Sequence, residues 1–515
     1  MRITDIQRCE VRPGRLVEWT LSPATVATAA GLPDDTRPPA YIQESHIRTA
    51  RTVREDGLYV PTWLGAAFDL PGPVDLDALQ EALRGWTLRH ETLRSGFRSA
   101  GDGESGGGGG SGGSGGAGES GGGGGSGGGG GPEGSGGPEG SAGSGGSGAS
   151  GGSSGGELRR FTLDRASVSL HREVVGDFTD PDALVRYLQD RFDAAADALR
   201  WPNLIYTAVV RDTDASVYLA FDHSNVDAYS LHRIPAEIHE LYVAAVAGRV
   251  LAEPPVGSYV DFCESERADA DRIGADHEIV GRWRDFIRRC DGRLPSFPVD
   301  LGLTPGRVLP PQKLMREPLV DADTAAAFEA RCRKYGGSGI GVLAATALVL
   351  REIGDTEVYR TVLPFHTRAK SRWSESVGWY VGGAPIEVVL EPGLDFTGAL
   401  AAVRAEVHAN RALARMPMAR VLRLLGADFR PTSPDLYSIV SYVDARGLPG
   451  AERWAQMTAY ALIRVSYGDQ VCVWINRLHE GLWLASRYPD TDVAQKNMRL
   501  YVERLRDVIT AVGRE

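Results

Sequence analysis

Large apolar side chains stand at every second position of residues 217–221, VYLAF, near the middle of the chain. Apolar residues also lie between them, so the pattern predicts a strand buried on both faces, as in the centre of a layered α/β protein. From 231 to 245 the apolar positions recur at helical spacing instead. We expect a helix there, with Pro235 either kinking it or opening a second helix.

His223 stands where the predicted strand gives way to the helix. The turn therefore places an imidazole at the C-terminal end of a central strand. A lone histidine in such a position is most often a half-buried structural group. The turn alone does not decide between this structural interpretation and a catalytic one.

Apolar side chains at positions 76, 79, 83 and 86 form a second helical stripe and predict an amphipathic helix over 74–90. Asp75 is placed to cap its start. His90, near its end, is either catalytic or hydrogen bonds with Arg89 and Glu91 at the helix end to fix the following strand. We favour the structural interpretation.

Residues 101–156 consist almost entirely of Gly and Ser, with no large apolar side chain. This composition predicts a disordered insert. The flanks, 93–97 and 160–170, both have the pattern of strands. We therefore expect the insert to lengthen a surface hairpin, with a linker between two domains as the alternative.

A Pro-rich passage at 294–311 predicts a domain boundary. Beyond it, 324–335 has the pattern of a helix. The segment GGSGIG at 336–341 runs into the apolar stretch 342–350. It lacks the GK[ST] ending of a P-loop and follows no strand, so we interpret it as a loop and helix start.

Composition bounds the classes of function. The chain has 515 residues, 42% of them hydrophobic, and a net charge of −11. It can bury two cores of ordinary size, and its acidity argues against nucleic acid as a general partner. We expect a cytoplasmic protein, because no signal peptide is visible and the longest apolar run, 342–350, is too short to span a bilayer. Five scattered cysteines without CxxC spacing favour reduced thiols over disulfides or a metal site.

Four segments, in the right order, carry a family resemblance. Residues 83–97, LRGWTLRHETLRSGF, resemble the RHExLRTxF signature near the front of condensation domains. The turn at 222–228, DHSNVDA, resembles HHxxxDG, with Asp222 and Ala228 in place of the first His and the Gly. Residues 377–386, VGWYVGGAPI, resemble the VGxFxNxxP segment. The last match, at 437–450, 471–476 and 487–490, is similar to elements of the polyketide-associated acyltransferases, a branch of the condensation-domain superfamily.

This resemblance implies an α/β fold of two chloramphenicol-acetyltransferase-like lobes, forming a V with a central tunnel and the histidine turn at its midpoint. The N-terminal lobe would comprise 1–100 and 157–293, and the C-terminal lobe 294–515. No cofactor would be bound. The co-substrate would be an acyl thioester of coenzyme A or of a phosphopantetheine arm, and the acceptor a small-molecule hydroxyl or amine.

The resemblance also implies roles for individual residues. His223 would be the general base, and Asp227 would hold the turn through an ion pair with Arg368. Ser441 is a candidate donor to the oxyanion, with a serine satisfied within its strand as the alternative interpretation. The walls of the substrate tunnel would include Asp222, Trp379 and Tyr380.

Two functions of different classes fit these patterns. The first is an acyltransferase that forms an ester, or an amide, in lipid or polyketide-type secondary metabolism. The second is a non-catalytic docking protein for carrier proteins, which the replaced first His and Gly of the signature make conceivable. We favour the first because His223 and Asp227 are retained. The absence of GxSxG argues against an acyl-enzyme serine hydrolase. The resemblance allows an acyl carrier protein or a polyketide synthase as partner, and we expect a monomer.

Replacing residues 101–156 with a short Gly-Ser turn should leave the melting temperature and the activity nearly unchanged. Loop-closure entropy changes by only roughly 0.6 kcal/mol per doubling of loop length. Thermal unfolding of the full-length and shortened chains measures this. Loss of soluble expression on shortening would contradict it.

Overall fold

The computed structural model describes residues 1–99, 157–249, 255–304, 309–431 and 438–514. Met1–Phe97 and Arg159–Glu515 form one compact unit. The predicted Gly/Ser insert, 101–156, lies outside the described residues. The expected α/β class is confirmed, because strands and helices both contribute to the cores of this unit.

The described strands are β1 (Arg2–Thr4), β2 (Gly14–Leu21), β3 (Leu64–Pro71), β4 (Ser95–Ser99), β5 (Leu158–Thr162), β6 (Leu170–Phe178), β7 (Leu204–Val210), β8 (Asp214–Phe221), β9 (Gln312–Asp321), β10 (Val358–His366), β11 (Val381–Val389), β12 (Ile439–Asp444), β13 (Tyr460–Ile463), β14 (Cys472–Leu478) and β15 (Gly481–Pro489).

The described helices are α1 (Pro23–Ala30), α2 (Tyr41–Glu55), α3 (Leu76–Arg89), α4 (Pro181–Ala195), α5 (Ala228–Val246), α6 (Tyr259–Ala270), α7 (Glu278–Arg289), α8 (Ala322–Cys332), α9 (Ser338–Gly354), α10 (Phe396–Asn410), α11 (Met418–Leu425) and α12 (Asp492–Arg514).

A seven-stranded sheet in the order β1-β13-β3-β8-β7-β2-β6 carries the histidine turn. β8 is its middle strand, pairs antiparallel with β3 and β7, and is buried from Ala215 to Phe221. The predicted central strand is therefore confirmed. α3 and α5 pack on one face of this sheet, and α4 packs on the other.

A second core forms around the four-stranded sheet β12-β14-β15-β9 and the helices α8, α9, α10 and α12. β10 and β11 form a separate antiparallel pair. β13, from the C-terminal half of the sequence, pairs with β1 and β3 of the seven-stranded sheet. A strand from the C-terminal half of the chain is therefore part of the sheet formed by the N-terminal half. The division into lobes at 293/294 stays a prediction.

The predicted helices are present, with capping side chains where the sequence indicates them. Asp75 caps α3 by accepting hydrogen bonds from the backbone N–H groups of Asp77 and Ala78. Gly336 and Gly337 have φ of 112° and 92°, so this Gly pair makes the turn that leads into α9. The expected loop and helix start at 336–341 is confirmed.

Two local expectations need correction. The flank 160–170 is not one strand, because β5 ends at Thr162 and a 3-10 turn, Arg165–Ser167, precedes β6. Of the two alternatives for Pro235, a second helix is excluded because Pro235 lies inside α5, whereas the kink stays a prediction. β4 and β5, on either side of the insert, do pair in a two-stranded sheet, as expected of a hairpin.

Within the described ranges, no single helix is both long and apolar enough to cross a bilayer. One pair of helices, Ala322–Tyr335 and Ser338–Gly354, is long and apolar enough for a membrane span when the two are taken together. The pair is bent by 97° at the break between them. Much of α9 is buried in the second core, which equally accounts for its apolar composition. Cys9, Cys263, Cys290 and Cys332 are free thiols.

Candidate active site

Two aspartates cap the histidine turn. Asp222 follows β8 and accepts a hydrogen bond of 2.9 Å from the N–H of Ser224, which starts a short 3-10 turn, His223–Asn225. Asp227 then caps α5 by accepting a 2.8 Å bond from the N–H of Ser230. The two carboxylates satisfy backbone donors that would otherwise be unpaired at these starts. His223 is therefore held between two capped elements.

The imidazole of His223 is half-buried and stacks on Trp379, with ring centroids 3.8 Å apart and planes 23° apart. Its Nδ1 is buried, and no other residue in the described chain hydrogen bonds to it. Burial and, to a smaller extent, the nearby His46 together lower its pKa to about 4, although its own backbone carbonyl acts in the opposite direction. The ring is therefore neutral near pH 7.

Asp227 and Arg368 form the expected ion pair. Two bonds of 2.7 and 3.0 Å join the guanidinium to both carboxylate oxygens, and both side chains are almost fully buried. Burial alone would raise the pKa of Asp227, but Arg368 outweighs it and lowers that pKa. The rings of Tyr229 and Tyr380 lie 4.6 and 4.3 Å from the guanidinium. The predicted pairing is confirmed.

The segment around Trp379 is anchored to the start of α5. The N–H of Tyr380 donates to Asp227 at 3.0 Å, and the N–H of Gly378 donates to the Ser230 hydroxyl at 3.2 Å. A Cβ at position 378 would lie 2.4 Å from the Tyr259 ring, so only glycine fits there. The backbone on both sides of Trp379 is thereby fixed beside His223.

His46 is a member of this site that the sequence analysis missed. It lies on α2, and its Nε2 is 2.9 Å from Oδ2 of Asp222. Its ring meets the edge of Trp379 at 5.5 Å and lies 6.3 Å from the ring of His223. Burial would lower its pKa, but Asp222 outweighs burial and raises it. The one sign of such a partner in the sequence was Asp222, a carboxylate at the position where the signature has its first histidine.

The expected tunnel walls need correction. Asp222 and Tyr380 have no exposed surface, because Asp222 is bound to His46 and Ser224 while Tyr380 packs beside Arg368. Neither side chain therefore lines an open tunnel in this structure. Trp379 is half-buried and touches His223, so the wall role stays a prediction for Trp379.

Ser441 lies on β12, opposite Trp474 of β14, and is half-buried. No hydrogen bond joins it to His223 in the described part of the chain. Its role as a donor to the oxyanion stays a prediction.

His90 belongs to a buried hydrogen-bond network. Its Nε2 lies 2.9 Å from Glu237 of α5, which also accepts a bond from Trp86. The N–H of Val377 approaches its other ring nitrogen at 3.4 Å. These contacts join α3, α5 and the segment before Trp379, so the structural interpretation of His90 fits. Its partners, however, are Glu237 and Val377 instead of the expected Arg89 and Glu91.

A small cavity of about 70 Å³ lies beside His46. Two segments contribute most of its lining, the face of α2 from Thr49 to Arg54 and the loop 58–62. Its apolar side chains include Ala50, Val53, Leu58, Val60 and Leu309. Leu58 and Tyr59 are partly exposed at its rim. A partly apolar space thus runs from the surface towards His46.

The Condensation domain family model matches residues 154–430, more than half of the chain. The chain belongs to the condensation-domain family. The curated relatives span nearly its whole length. It is 26% identical to trehalose-2-sulfate acyltransferase PapA2 of Mycobacterium tuberculosis, over 98% of this chain and 96% of PapA2. It is 24% identical to acyltransferase PapA3 of the same organism, over 97% and 94%.

Solved structures agree on the condensation-domain fold. A structure described as PapA2 acyl transferase has a TM-score of 0.83 at 24% identity, covering all of both chains. The first condensation domain of the calcium-dependent antibiotic synthetase has a TM-score of 0.62 at 15% identity, covering 92% of this chain and 97% of that one. The expected fold is confirmed. Family and relatives together identify an acyltransferase.

Replacing Asp227 with Ala should lower both the melting temperature and the activity. It leaves the Arg368 guanidinium buried without its partner, and breaking a buried pair in this way costs roughly 3–5 kcal/mol. Thermal unfolding and turnover of the purified variant measure the two effects. Asp177→Ala, which breaks an exposed pair with Arg15, is the matched control and should change little. An unchanged melting temperature in Asp227→Ala would contradict the assignment.

Proposed function

We propose that this member of the condensation-domain family transfers an acyl group from a thioester, of coenzyme A or of a carrier-protein phosphopantetheine arm, to a hydroxyl or amine acceptor in lipid biosynthesis. The observation that carries the proposal is His223 itself. It is neutral near pH 7, stands at the end of the central strand, and is in stacking contact with Trp379. A neutral imidazole in a fixed orientation is the group that general-base catalysis requires.

The reaction would proceed in two proton-coupled steps. Nε2 of His223 takes the proton of the acceptor hydroxyl as its oxygen attacks the thioester carbonyl, forming a tetrahedral oxyanion. The intermediate then expels the thiolate, which receives the proton from His223. The products are an ester and a free thiol, and the imidazole is neutral again. A thioester is reactive enough for this route without a metal ion.

Nearby charges support the base during the first step. Burial keeps the pKa of the free His223 near 4, so developing an imidazolium there is costly. Asp222 and Asp227 both act to raise that pKa. Their carboxylates therefore stabilise the imidazolium as it forms, although His46 and Arg368 offset part of their charge.

The cavity beside His46 suits the apolar part of the donor. Half of the lining side chains from α2 and the loop 58–62 are aliphatic, and the cavity begins beside His46, whose ring lies 6.3 Å from that of His223. A volume of about 70 Å³ holds only a few carbon atoms. We propose that it receives part of the acyl chain.

The names of the relatives suggest acceptors to test. PapA2 is named for trehalose-2-sulfate, and PapA1 of Mycobacterium tuberculosis, 24% identical over this whole chain and 90% of its own length, for 2'-acyl-2-O-sulfo-trehalose. A carbohydrate hydroxyl is therefore the first acceptor class to try, followed by amines. Ser441 stays a proposed donor to the oxyanion.

The test is incubation with acyl-coenzyme A esters of graded length and a panel of sugar acceptors, with mass detection of ester and free thiol. Carrier-protein-bound donors form a second panel. His223→Ala should lower turnover by at least about 10²-fold without unfolding the protein, because base removal typically costs that much.

Retention of near-normal turnover in a folded His223→Ala variant would overturn the catalytic proposal. The docking alternative predicts something different. In that case wild type gives no product with any donor, yet a carrier protein binds equally to wild type and to His223→Ala.

Filling the cavity should change the choice of acyl chain. Ala50→Phe places a large side chain in the lining, so turnover of longer acyl donors should fall about tenfold or more relative to acetyl, on the scale of a few lost methylene contacts. Ala27→Phe, at an exposed position of α1, is the control and should leave the chain-length profile unchanged. Equal losses for all donors would contradict the assignment of the cavity.

A further inference from the structure

The proposed base, His223, and three side chains around it form a closed set of contacts. Asp222 bonds to His46, His46 meets the edge of Trp379, and Trp379 stacks on His223. His223 follows Asp222 in sequence and completes the ring. We call His46, Asp222 and Trp379 the supporting cluster. They come from α2, from the histidine turn and from the segment before β11, so three separate parts of the chain converge on one imidazole.

An imidazole that acts as a base needs something to fix its plane. In many sites a carboxylate hydrogen bonded to the second ring nitrogen does so. Here no other described residue bonds to Nδ1 of His223. Asp222 is hydrogen bonded to His46 and Ser224, and Asp227 is hydrogen bonded to Arg368 and to the backbone at the start of α5.

Stacking on Trp379 is therefore the side-chain contact that sets the plane of the base. Hydrogen bonds from Gly378 and Tyr380 hold the backbone of Trp379, but they do not hold its side chain. His46 contacts that indole edge-on at 5.5 Å and is itself fixed to Asp222. Edge-to-face contacts of this kind stabilise aromatic packing beyond the area that they bury.

We propose that His46 is a positioning residue for the acyl transfer, holding Trp379 against His223 and pairing with Asp222, which stands at the position where the family signature has its first histidine. The inference rests on the proposed function. It assigns His46 no contact with the reacting atoms. It also accounts for Asp222, because a buried carboxylate needs a cationic partner.

The same pair affects the charge that His223 experiences. The charged groups facing it are His46 from α2, Asp222 before it, and Asp227 with its partner Arg368. Further along α2 and the cavity, Glu44 pairs with Arg48, and Arg54 with Asp197. His46 lowers the pKa of His223 more than Asp222 raises it. Loss of the His46 cation should therefore raise that pKa above about 4.

The experiment compares His46→Ala and His46→Gln with wild type. His46→Ala should lower kcat by about 10- to 100-fold with KM within about threefold, because a small misplacement of a catalytic group has effects of that size. Gln can still donate to Asp222, so His46→Gln should recover part of kcat. In the pH profile of kcat/KM, the fall at acid pH should begin at a higher pH for His46→Gln than for wild type. The loss of a merely structural residue would not cause this shift. His239→Gln, a half-buried histidine of α5, is the control.

A double-mutant cycle with Asp222→Asn tests the pair. If His46 and Asp222 act together, the double variant loses about as much as the worse single one, instead of the product of both losses. Fully independent losses would overturn the inference. So would a His46→Ala variant with kcat within about twofold of wild type, or a loss confined to KM, which would make His46 a substrate contact.

A readout independent of turnover separates this inference from the proposed function. NMR titration of histidine-labelled protein, with the His223 signal assigned from His223→Ala, follows the imidazole directly. His46→Gln should shift its titration upward even if no acyl transfer is found. An unchanged His223 titration would overturn the inference and leave the acyltransferase proposal intact.

Discussion

The buried ion pair between Asp227 and Arg368 is the interaction on which the site depends. It ties the start of α5, directly after the histidine turn, to the chain that follows β10. Asp227 also receives the N–H of Tyr380 and caps its own helix. One carboxylate thus fixes the helix start, an arginine and the backbone beside Trp379. Such burial is tolerable only because almost every lone pair of the carboxylate has a partner.

A second buried carboxylate follows the same logic at the other end of the turn. Asp222 has no exposed surface and is matched by His46 and a backbone N–H. Each acid on either side of His223 therefore has its own basic partner, Arg368 for Asp227 and His46 for Asp222. The imidazole between them has no dedicated counter-ion, and burial keeps it neutral. The site is thus arranged to hold a free base, with compensated charges close enough to respond when that base takes a proton.

The periodicity of the sequence predicted those elements whose structure is determined by residues close together in the chain. β8, α3 and the Gly336 turn followed from local patterns. The Asp227–Arg368 pair followed from a motif resemblance, because no local pattern joins residues so far apart. β13 in the seven-stranded sheet and His46 at the turn were missed. Strand pairing across hundreds of residues, and one histidine on an amphipathic helix, leave no periodic trace.

The departure of this chain from its family signature also takes on a different meaning. Viewed along the sequence, Asp222 is a lost histidine and a reason to doubt catalysis. In the folded chain a histidine is still present beside His223, contributed by α2 and joined to that aspartate. An unpaired Asp222 would carry the full cost of a buried charge. The substitution therefore makes physical sense only together with His46, so position 222 has to be interpreted with its partner across the fold.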